Sequence, residues 1–381
     1  MTMKTDATDK KSLGIYLHLP FCLKKCNYCD FCSFAGTGRD VISRYCRQLA
    51  ERVKRFSADC TNYSVDTVYF GGGTPTLAPA EDLCSVLAAV RENYRMSPDA
   101  EISVECNPAT GDGEYFARLH GAGFNRLSIG LQSTDDGELK LLGRAHSFED
   151  FLETFGQARA AGFANISADV MFGIPNQTKD SFARTLSVLT DLSPEHISAY
   201  GLKIEEGTPF AKIKEKLVLP DEETESLMYS FCVNYLGGKG YNKYEISNFS
   251  KPGYKSRHNL RYWTGLDYLG FGVSAHSFFR GERFRNSDDI AAFLRGENIE
   301  AEREKISGND ILNEYLILRL RLSEGIDKAD FREKTGREIL SVFPRLADYV
   351  KNGFLSETAS HITFTEHGLY LSNSVLSDVM L

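Results

Sequence analysis

The first two hundred residues alternate between short apolar runs and longer segments with helical periodicity, and this alternation most restricts the possible fold. The apolar runs predict six strands, at residues 14–19, 67–70, 102–105, 126–131, 166–171 and 196–202. The periodic segments between them predict helices at residues 41–55, 80–94, 113–122, 148–161 and 179–192. Repeated strand–helix units form parallel sheets. We therefore predict an α/β fold, either a doubly wound sheet or an open part of a (β/α) barrel.

Unusual polar and glycine residues follow these strands at one end. A loop rich in cysteine follows the first strand, and the run GGGTP (71–75) follows the second. Glu105, Gln132 and Asp169 lie at or near the ends of the third, fourth and fifth strands. Because the carboxyl ends of parallel strands meet at one edge of a sheet, we predict that these groups share a site.

The cysteine loop has the spacing CxxxCxxC at Cys22, Cys26 and Cys29, with Cys32 three residues later. Four thiolates would suit a structural zinc site, but zinc sites typically pair two separated CxxC turns, and here one loop holds all four. An electron-transfer iron–sulfur site is a second interpretation. The third is a [4Fe–4S] cluster held by three thiolates, which would leave one iron open to a substrate.

Composition narrows the class of protein. The 381 residues carry a formal net charge of −8, which argues against a nucleic-acid partner. The first twelve residues lack the apolar core of a secretory signal, and no stretch has the length of apolar sequence that a membrane span needs. Nine cysteines, an odd number, fit reduced thiols better than a disulfide framework. We therefore expect a cytoplasmic protein.

The cysteine motif, with Tyr28 before its third cysteine, resembles the signature of radical S-adenosylmethionine (SAM) enzymes. Further segments resemble the oxygen-independent coproporphyrinogen III oxidase family within that superfamily. They are YLHLPFC (16–22), GGGTP (71–75), RLSIGLQS (126–133) and LGRAH (142–146). The segments CNYCDF (26–31) and HNLRYW (258–263) are most similar to the HemW-type haem chaperones, and the latter matches their HNxxYW haem-binding motif. The N-terminal extension of the true oxidases is absent before the cysteine motif.

The resemblance implies a fold, cofactors and site residues. The fold is a partial (β/α)6 TIM-like barrel of radical SAM type with a C-terminal α+β, winged-helix-like domain. Cys22, Cys26 and Cys29 would hold the [4Fe–4S] cluster, and Cys32 would not be a ligand because a fourth thiolate would close the open iron. The positions implied to contact SAM are Tyr16, Tyr28, Gly72, Gly73, Thr74, Glu105, Gln132, Arg144 and Asp169. Those implied to contact haem are His258, Asn259, Tyr262 and Trp263, and no residue is assigned a catalytic role.

These expectations divide the chain into four segments. They are a disordered N-terminus (1–12), the barrel with the cluster and SAM site (13–212), an extension carrying the haem motif (213–304) and a small C-terminal domain (305–381). That last segment has nine lysine or arginine residues and eleven aspartate or glutamate residues, so we expect a packing or partner-docking role rather than nucleic-acid binding.

Three functions are open at this point. The first, favoured by the haem motif, is a haem chaperone that delivers haem to acceptor haemoproteins. Membrane-associated respiratory proteins are candidate acceptors, and a homodimer is an open possibility. The second is an oxidase that decarboxylates the propionates of coproporphyrinogen III. The third is a non-catalytic iron–sulfur or zinc module.

Overall fold

The computed structural model describes residues 10–381. Residues 1–9 of the predicted disordered segment lie outside the described residues. The first strand begins at Lys11, so the last two residues of that predicted segment, Lys11 and Ser12, are part of the sheet.

The described residues form seventeen strands and sixteen α-helices. Strands β1 to β17 are Lys11–Leu19, Phe21–Cys22, Phe34–Ala35, Tyr63–Gly72, Met96–Cys106, Arg126–Gln132, Ile166–Phe172, His196–Gly201, Asn242–Lys243, Asn248–Ser250, Tyr268–Phe271, His276–Phe279, Glu282–Asn286, Glu300–Lys305, Ile326–Asp327, Leu355–Glu357 and His361–Phe364. Helices α1 to α16 are Arg39–Phe56, Ala80–Asn93, Gly113–Ala122, Asp136–Leu142, Phe148–Ala160, Lys179–Leu192, Pro209–Lys212, Glu222–Gly238, Arg257–Thr264, Ile290–Leu294, Asn309–Leu320, Lys328–Thr335, Ile339–Val342, Leu346–Lys351, Glu366–Tyr370 and Ser372–Val379.

All six predicted strands and all five predicted helices are present, with ends that shift by a few residues. The largest shifts are at β4 and β5, which begin four and six residues before the predicted starts. Both extensions carry polar residues that interrupt the apolar runs, so the sequence pattern placed the starts of these strands too late. Helix α4 was not predicted, although Asp135 caps its first turn and Gly143 ends it in the left-handed conformation.

The described residues divide into two compact units, and the first comprises residues 10–167, 203–215 and 266–305. Its strands follow the order β14-β13-β12-β11-β1-β4-β5-β6. Strands β11, β1, β4, β5 and β6 pair in parallel, and β12 to β14 add an antiparallel edge. Every residue of β6 is buried, as expected of a parallel strand covered on both faces.

The second unit comprises residues 168–202, 216–265 and 306–381. It contains the strands β7-β8-β10-β9, in which β8, β10 and β9 pair antiparallel. These units are a different division of the chain from the segments predicted from the sequence, whose boundaries near 212 and 304 stay a prediction.

The C-terminal part of the second unit has its own apolar core. Helices α11 to α16 surround a three-stranded antiparallel sheet of order β15-β17-β16. Leu316, Phe331, Leu346 and Ile362 are fully buried in this core. Strands β16 and β17 form a hairpin, and the two helices α15 and α16 follow it.

No helix within the described residues has both the length and the apolar character needed to cross a membrane.

Candidate functional site

The cysteine loop is closed at its base by two short strands. β2 pairs in parallel with β3, which places Cys22 opposite Ala35. Gly36 N donates a hydrogen bond to Cys22 O at 3.3 Å, and Phe34 N donates to Pro20 O at 2.6 Å. Residues 23–33 therefore form a loop with fixed ends, directly after the carboxyl end of β1.

The three thiols of the CxxxCxxC motif are partly exposed and lie close enough to influence one another electrostatically. Burial raises the pKa of the Cys22 and Cys29 thiols, and the neighbouring Cys26 raises both further. Within residues 10–381 no group of three or more His, Cys, Asp or Glu side chains is placed to hold a single metal ion. Thiolates are nevertheless the ligands of iron–sulfur clusters, and a cubane is larger than one ion, so its ligands need not converge on one point.

The backbone of Cys32 is hydrogen-bonded to a residue of β1. The carbonyl of Cys32 accepts a hydrogen bond from His18 Nε2 at 3.3 Å. Since a carbonyl only accepts, His18 carries its proton on Nε2, and its Nδ1 accepts from Tyr16 Oη at 2.9 Å. Burial lowers the pKa of His18 to about 4, so the ring stays neutral in this role.

Asn27 anchors the cysteine loop to the end of α4. Its backbone N donates to Leu142 O and its Nδ2 donates to Leu141 O, each at 2.9 Å. Gly143, with a φ of 77°, leaves room for this amide, because a Cβ atom there would lie 3.0 Å from Asn27 Cγ. This anchor was not predicted, because both partners belong to the helix that the sequence pattern did not reveal.

Gly72, which ends β4, packs against the end of β1, and Gly73, which follows it, packs against β2. Gly72 has a φ of 115°, and a Cβ atom there would lie 2.5 Å from the ring of His18. A Cβ atom on Gly73 would lie 2.5 Å from Phe21 O. Thr74 is buried and its backbone N donates to Phe21 O at 2.7 Å. Glycine is thus required for this close approach of two backbones.

Glu105, near the end of β5, is held by two donors. Tyr69 Oη donates to its Oε1 at 2.8 Å, and Gly72 N donates to its Oε2 at 3.0 Å. Tyr16 stacks on Tyr69 with ring centroids 6.2 Å apart. The carboxylate therefore has a fixed orientation beside the glycine turn, where it can bind an ammonium or hydroxyl group.

Arg144 joins the cysteine loop to the ends of β5 and β6. Its Nη1 lies 3.5 Å from Cys26 Sγ, and its Nη2 donates to Gly130 O at 2.9 Å and to Asn107 Oδ1. Burial lowers the pKa of Arg144, but Tyr28 and Cys26 offset this and raise it above its usual value. Its Nε is buried without a partner among the described groups, so this arginine retains a donor for a ligand.

Gln132 ends β6 in the left-handed conformation, with a φ of 71°, and its side chain is buried. A Cβ atom placed on Gly130 would lie 2.9 Å from Asn107 Oδ1, 3.0 Å from Gln132 Nε2 and 3.1 Å from Arg144 Nη2. Three polar groups therefore converge over one glycine. Tyr28 is half-buried, and its desolvation raises its pKa above the usual value, so the phenol remains protonated.

Asn107 is the second residue of this region that the sequence did not single out. Its Nδ2 donates to Thr74 Oγ1 at 2.6 Å, and Thr74 Oγ1 lies 4.0 Å from Cys22 Sγ. The only sequence signal is its position directly after β5. The first unit thus brings together the predicted cluster and SAM residues, except Asp169, which lies on β7 in the second unit and whose role stays a prediction.

The predicted haem motif lies on α9 in the second unit. Ser256 caps this helix by accepting from Asn259 N at 3.3 Å, and Gly265 ends it in the left-handed conformation. His258 is buried, with 1% of its surface exposed, and its Nε2 lies 2.9 Å from Tyr262 Oη. The i,i+4 spacing places both rings on one face of the helix.

The remaining residue of the motif, Trp263, has an unusual environment. Its Nε1 is buried and has no hydrogen-bond acceptor among the described groups. The guanidinium of Arg321 lies 5.6 Å from the centroid of its ring, within the range of a cation–π contact. A buried indole donor without an acceptor is a position that a polar ligand group can complete.

Comparisons with known proteins agree with this geometry. The model of the radical SAM superfamily matches residues 16–189, and the HemN C-terminal domain matches residues 306–371. The heme chaperone HemW of Bacillus subtilis strain 168 is 34% identical, over 94% of this chain and 97% of its own length. The heme chaperone HemW of Escherichia coli K12 is also 34% identical, over 96% and 97%.

A mammalian relative and a solved structure extend the comparison. The mitochondrial radical S-adenosyl methionine domain-containing protein 1 of Bos taurus is 35% identical, over 85% of this chain and 76% of its own length. Coproporphyrinogen III oxidase (HemN) from Escherichia coli, described as a radical SAM enzyme, superposes with a TM-score of 0.84. That match covers 97% of this chain and 90% of HemN at 23% identity. The predicted α/β fold with a C-terminal domain is confirmed by this likeness.

Proposed function

Because the chain belongs to the HemW family of heme chaperones within the radical SAM superfamily, we propose that it binds haem and delivers it to acceptor haemoproteins. The observation that carries this proposal is the full-length similarity to these chaperones together with the HNxxYW segment on α9. The acceptors include membrane-associated respiratory proteins, and the chain works in the cytoplasm.

In the first unit, Cys22, Cys26 and Cys29 hold a [4Fe–4S] cluster. The donor set supports this assignment, because three thiols share one loop whose ends are fixed by the β2–β3 pair. Cys32 is not a ligand in this proposal, because a fourth thiolate would close the iron that SAM must reach. When bound, the cluster supplies an electron to SAM.

The SAM cofactor binds beside this loop. The glycine turn at Gly72 and Gly73 offers backbone groups to the methionine end, and Glu105, already oriented by Tyr69, binds its ammonium group. Arg144 binds the carboxylate, for which its unpartnered Nε is available. The other family positions, Tyr16, Tyr28, Thr74, Gln132 and Asp169, complete the proposed contact set.

Haem binds at α9 in the second unit, with His258 as the candidate ligand of its iron. Imidazole is a common axial ligand, and Tyr262 and Trp263 offer flat surfaces to a macrocycle. His258 is buried and its Nε2 contacts Tyr262 Oη, so ligation of the iron through Nε2 replaces that hydrogen bond. The indole Nε1–H of Trp263 is available for a polar group of the ligand.

Haem titration of the anaerobically reconstituted protein tests this assignment. We expect His258→Ala to abolish the haem absorbance change, and the matched control His361→Ala, whose side chain is 38% exposed on the central strand β17, to leave it intact. Tyr262→Phe removes the competing hydrogen bond, so it should accelerate haem uptake if His258 binds the iron. Uptake that survives His258→Ala contradicts the assignment.

Product analysis with coproporphyrinogen III distinguishes the chaperone from an oxidase of similar fold. We expect haem transfer to an apo-haemoprotein and no decarboxylated porphyrinogen. Turnover of coproporphyrinogen would identify an oxidase, and four-thiolate zinc in place of a cluster would identify a non-catalytic module.

A further inference from the structure

The side-chain amide of Asn107 connects two residues that each approach a different cysteine of the loop. Its Nδ2 donates to Thr74 Oγ1 at 2.6 Å, and its Oδ1 accepts from Arg144 Nη2. Thr74 Oγ1 in turn lies 4.0 Å from Cys22 Sγ, and Arg144 Nη1 lies 3.5 Å from Cys26 Sγ.

The two ends of the amide fix the direction of these contacts. An NH2 group only donates, so Thr74 Oγ1 must act as its acceptor, and the proton of the Thr74 hydroxyl is left to point at Cys22 Sγ. A carbonyl oxygen only accepts, so Arg144 donates to Asn107 through Nη2 and keeps Nη1 directed at Cys26. One amide thereby aims a hydroxyl proton and a cationic N–H at two sulfurs.

The surroundings allow Asn107 little freedom. Its backbone O accepts from Thr110 Oγ1 at 2.6 Å and from Thr110 N at 3.3 Å, which fixes the main chain. A Cβ atom on Gly130 would lie 2.9 Å from Asn107 Oδ1, so the amide already rests against the backbone of β6. The side chain is held on both sides as well as at its base.

We propose that Asn107 is a positioning residue that sets the reduction potential of the bound cluster through Thr74 and Arg144. This inference rests on the proposed function, which assigns the cluster to Cys22, Cys26 and Cys29. Hydrogen bonds to cysteine sulfur and nearby positive charge stabilise the reduced, more negative cluster, and they raise its potential. Asn107 contributes by orientation alone, because its side-chain amide binds Thr74 and Arg144, and the sulfur that its backbone carbonyl contacts, that of Cys106, is outside the cysteine motif.

Redox titration of the reconstituted cluster, followed by electron paramagnetic resonance, tests the proposal. In Asn107→Asp both side-chain oxygens accept, so the Thr74 proton turns from Cys22 to the new carboxylate. We expect a more negative potential. Asn93→Asp, the same change at the end of α2 where Nδ2 bonds only to Ala89 O, should leave the potential unchanged.

Variants of Thr74 separate orientation from the added charge. Thr74→Val should lower the potential, and Thr74→Ser, which retains the hydroxyl, should restore it. Asn107→Asp should shift the potential less when combined with Thr74→Val than alone, because only the effect of charge then remains. Equal shifts with and without Thr74→Val would overturn the proposal, as would an unchanged potential in Asn107→Asp.

The outcomes also distinguish this inference from the proposed function. A wild-type protein that forms no cubane overturns both. A normal wild-type cluster whose potential is insensitive to Asn107 and Thr74 overturns only the positioning role. Circular dichroism of the cluster-free variants establishes folding, and if Asn107→Asp does not fold, the Thr74→Val and Thr74→Ser pair decides the matter.

Discussion

Replacing Gly73 with alanine tests whether the close contact between the ends of β1 and β4 shapes the cysteine loop. Gly73 N donates to Leu19 O at 2.9 Å, and Thr74 N donates to Phe21 O at 2.7 Å, so the two backbones are hydrogen-bonded on both sides of the glycine. A Cβ atom at position 73 would lie 2.5 Å from Phe21 O and 2.8 Å from Phe21 N.

The size of the effect follows from what the methyl group meets. Ordinary contact requires a separation of about 3.5 Å, so one backbone must move by roughly 1 Å. Unlike a flexible side chain, the main chain of Phe21 cannot rotate away, so we expect a loss of about 1–3 kcal/mol in the free energy of unfolding. Cys22 is the next residue and must move as well, so reconstitution should yield less cluster than in the wild type.

Urea denaturation of the cluster-free protein and iron analysis after anaerobic reconstitution measure the two effects. Gly156→Ala is the matched control, because position 156 lies within α5 and a Cβ atom there meets nothing within 4 Å. It should stabilise the protein by up to about 1 kcal/mol and retain full cluster content. Wild-type stability and wild-type cluster content in Gly73→Ala would refute the reasoning.

Three further predictions concern the same unit. Cys29→Ser should lose the cluster and Cys32→Ser should retain it, as iron and sulfide analysis would report; equal loss would make Cys32 a ligand. Glu105→Gln keeps a hydrogen-bond acceptor but removes the charge, so SAM affinity measured by equilibrium dialysis should fall about tenfold or more. The pKa of His18, lowered by burial to about 4, keeps the folded-state ring neutral. The contribution of neutral His18 to the free energy of unfolding should therefore be complete above 6.5, the pKa of histidine in the unfolded chain. This contribution should fall by about 3 kcal/mol as the pH drops to 4. If the urea midpoint of His18→Gln falls with decreasing pH as much as that of the wild type, this prediction is contradicted.

The strands and most helices of the first unit could be predicted because each carries its own local signal. The strands are continuous apolar runs, and β6 is buried along its whole length, as its pattern indicates. The missed helix α4 has only seven residues and contains Gly137, so its apolar periodicity is too short to register. Its caps, Asp135 and Gly143, were the available signal.

The connections inside the site could not be predicted, because they join residues far apart in the sequence. Asn27 bonds a carbonyl more than a hundred residues later, and Asn107 links Thr74 to Arg144 across three strand ends. Asparagine near a turn is usually explained by local hydrogen bonding. Only the parallel register of β1, β4, β5 and β6 makes these amides neighbours of the cysteine loop.

For the predicted haem motif, too, the sequence predicts which residues share a helix face but not how deeply they are buried. The spacing of His258 and Tyr262 predicts that they share a helix face, and their rings meet edge to face at 5.3 Å. The spacing carries no information on burial, yet His258 is 1% exposed. If His258 ligates the iron through Nε2, as proposed, ligation exchanges the contact with Tyr262 for an iron–nitrogen bond and requires this buried ring to become accessible. The cost of both steps is included in any measured haem affinity, so Tyr262→Phe should bind haem more tightly than the wild type if His258 is the ligand.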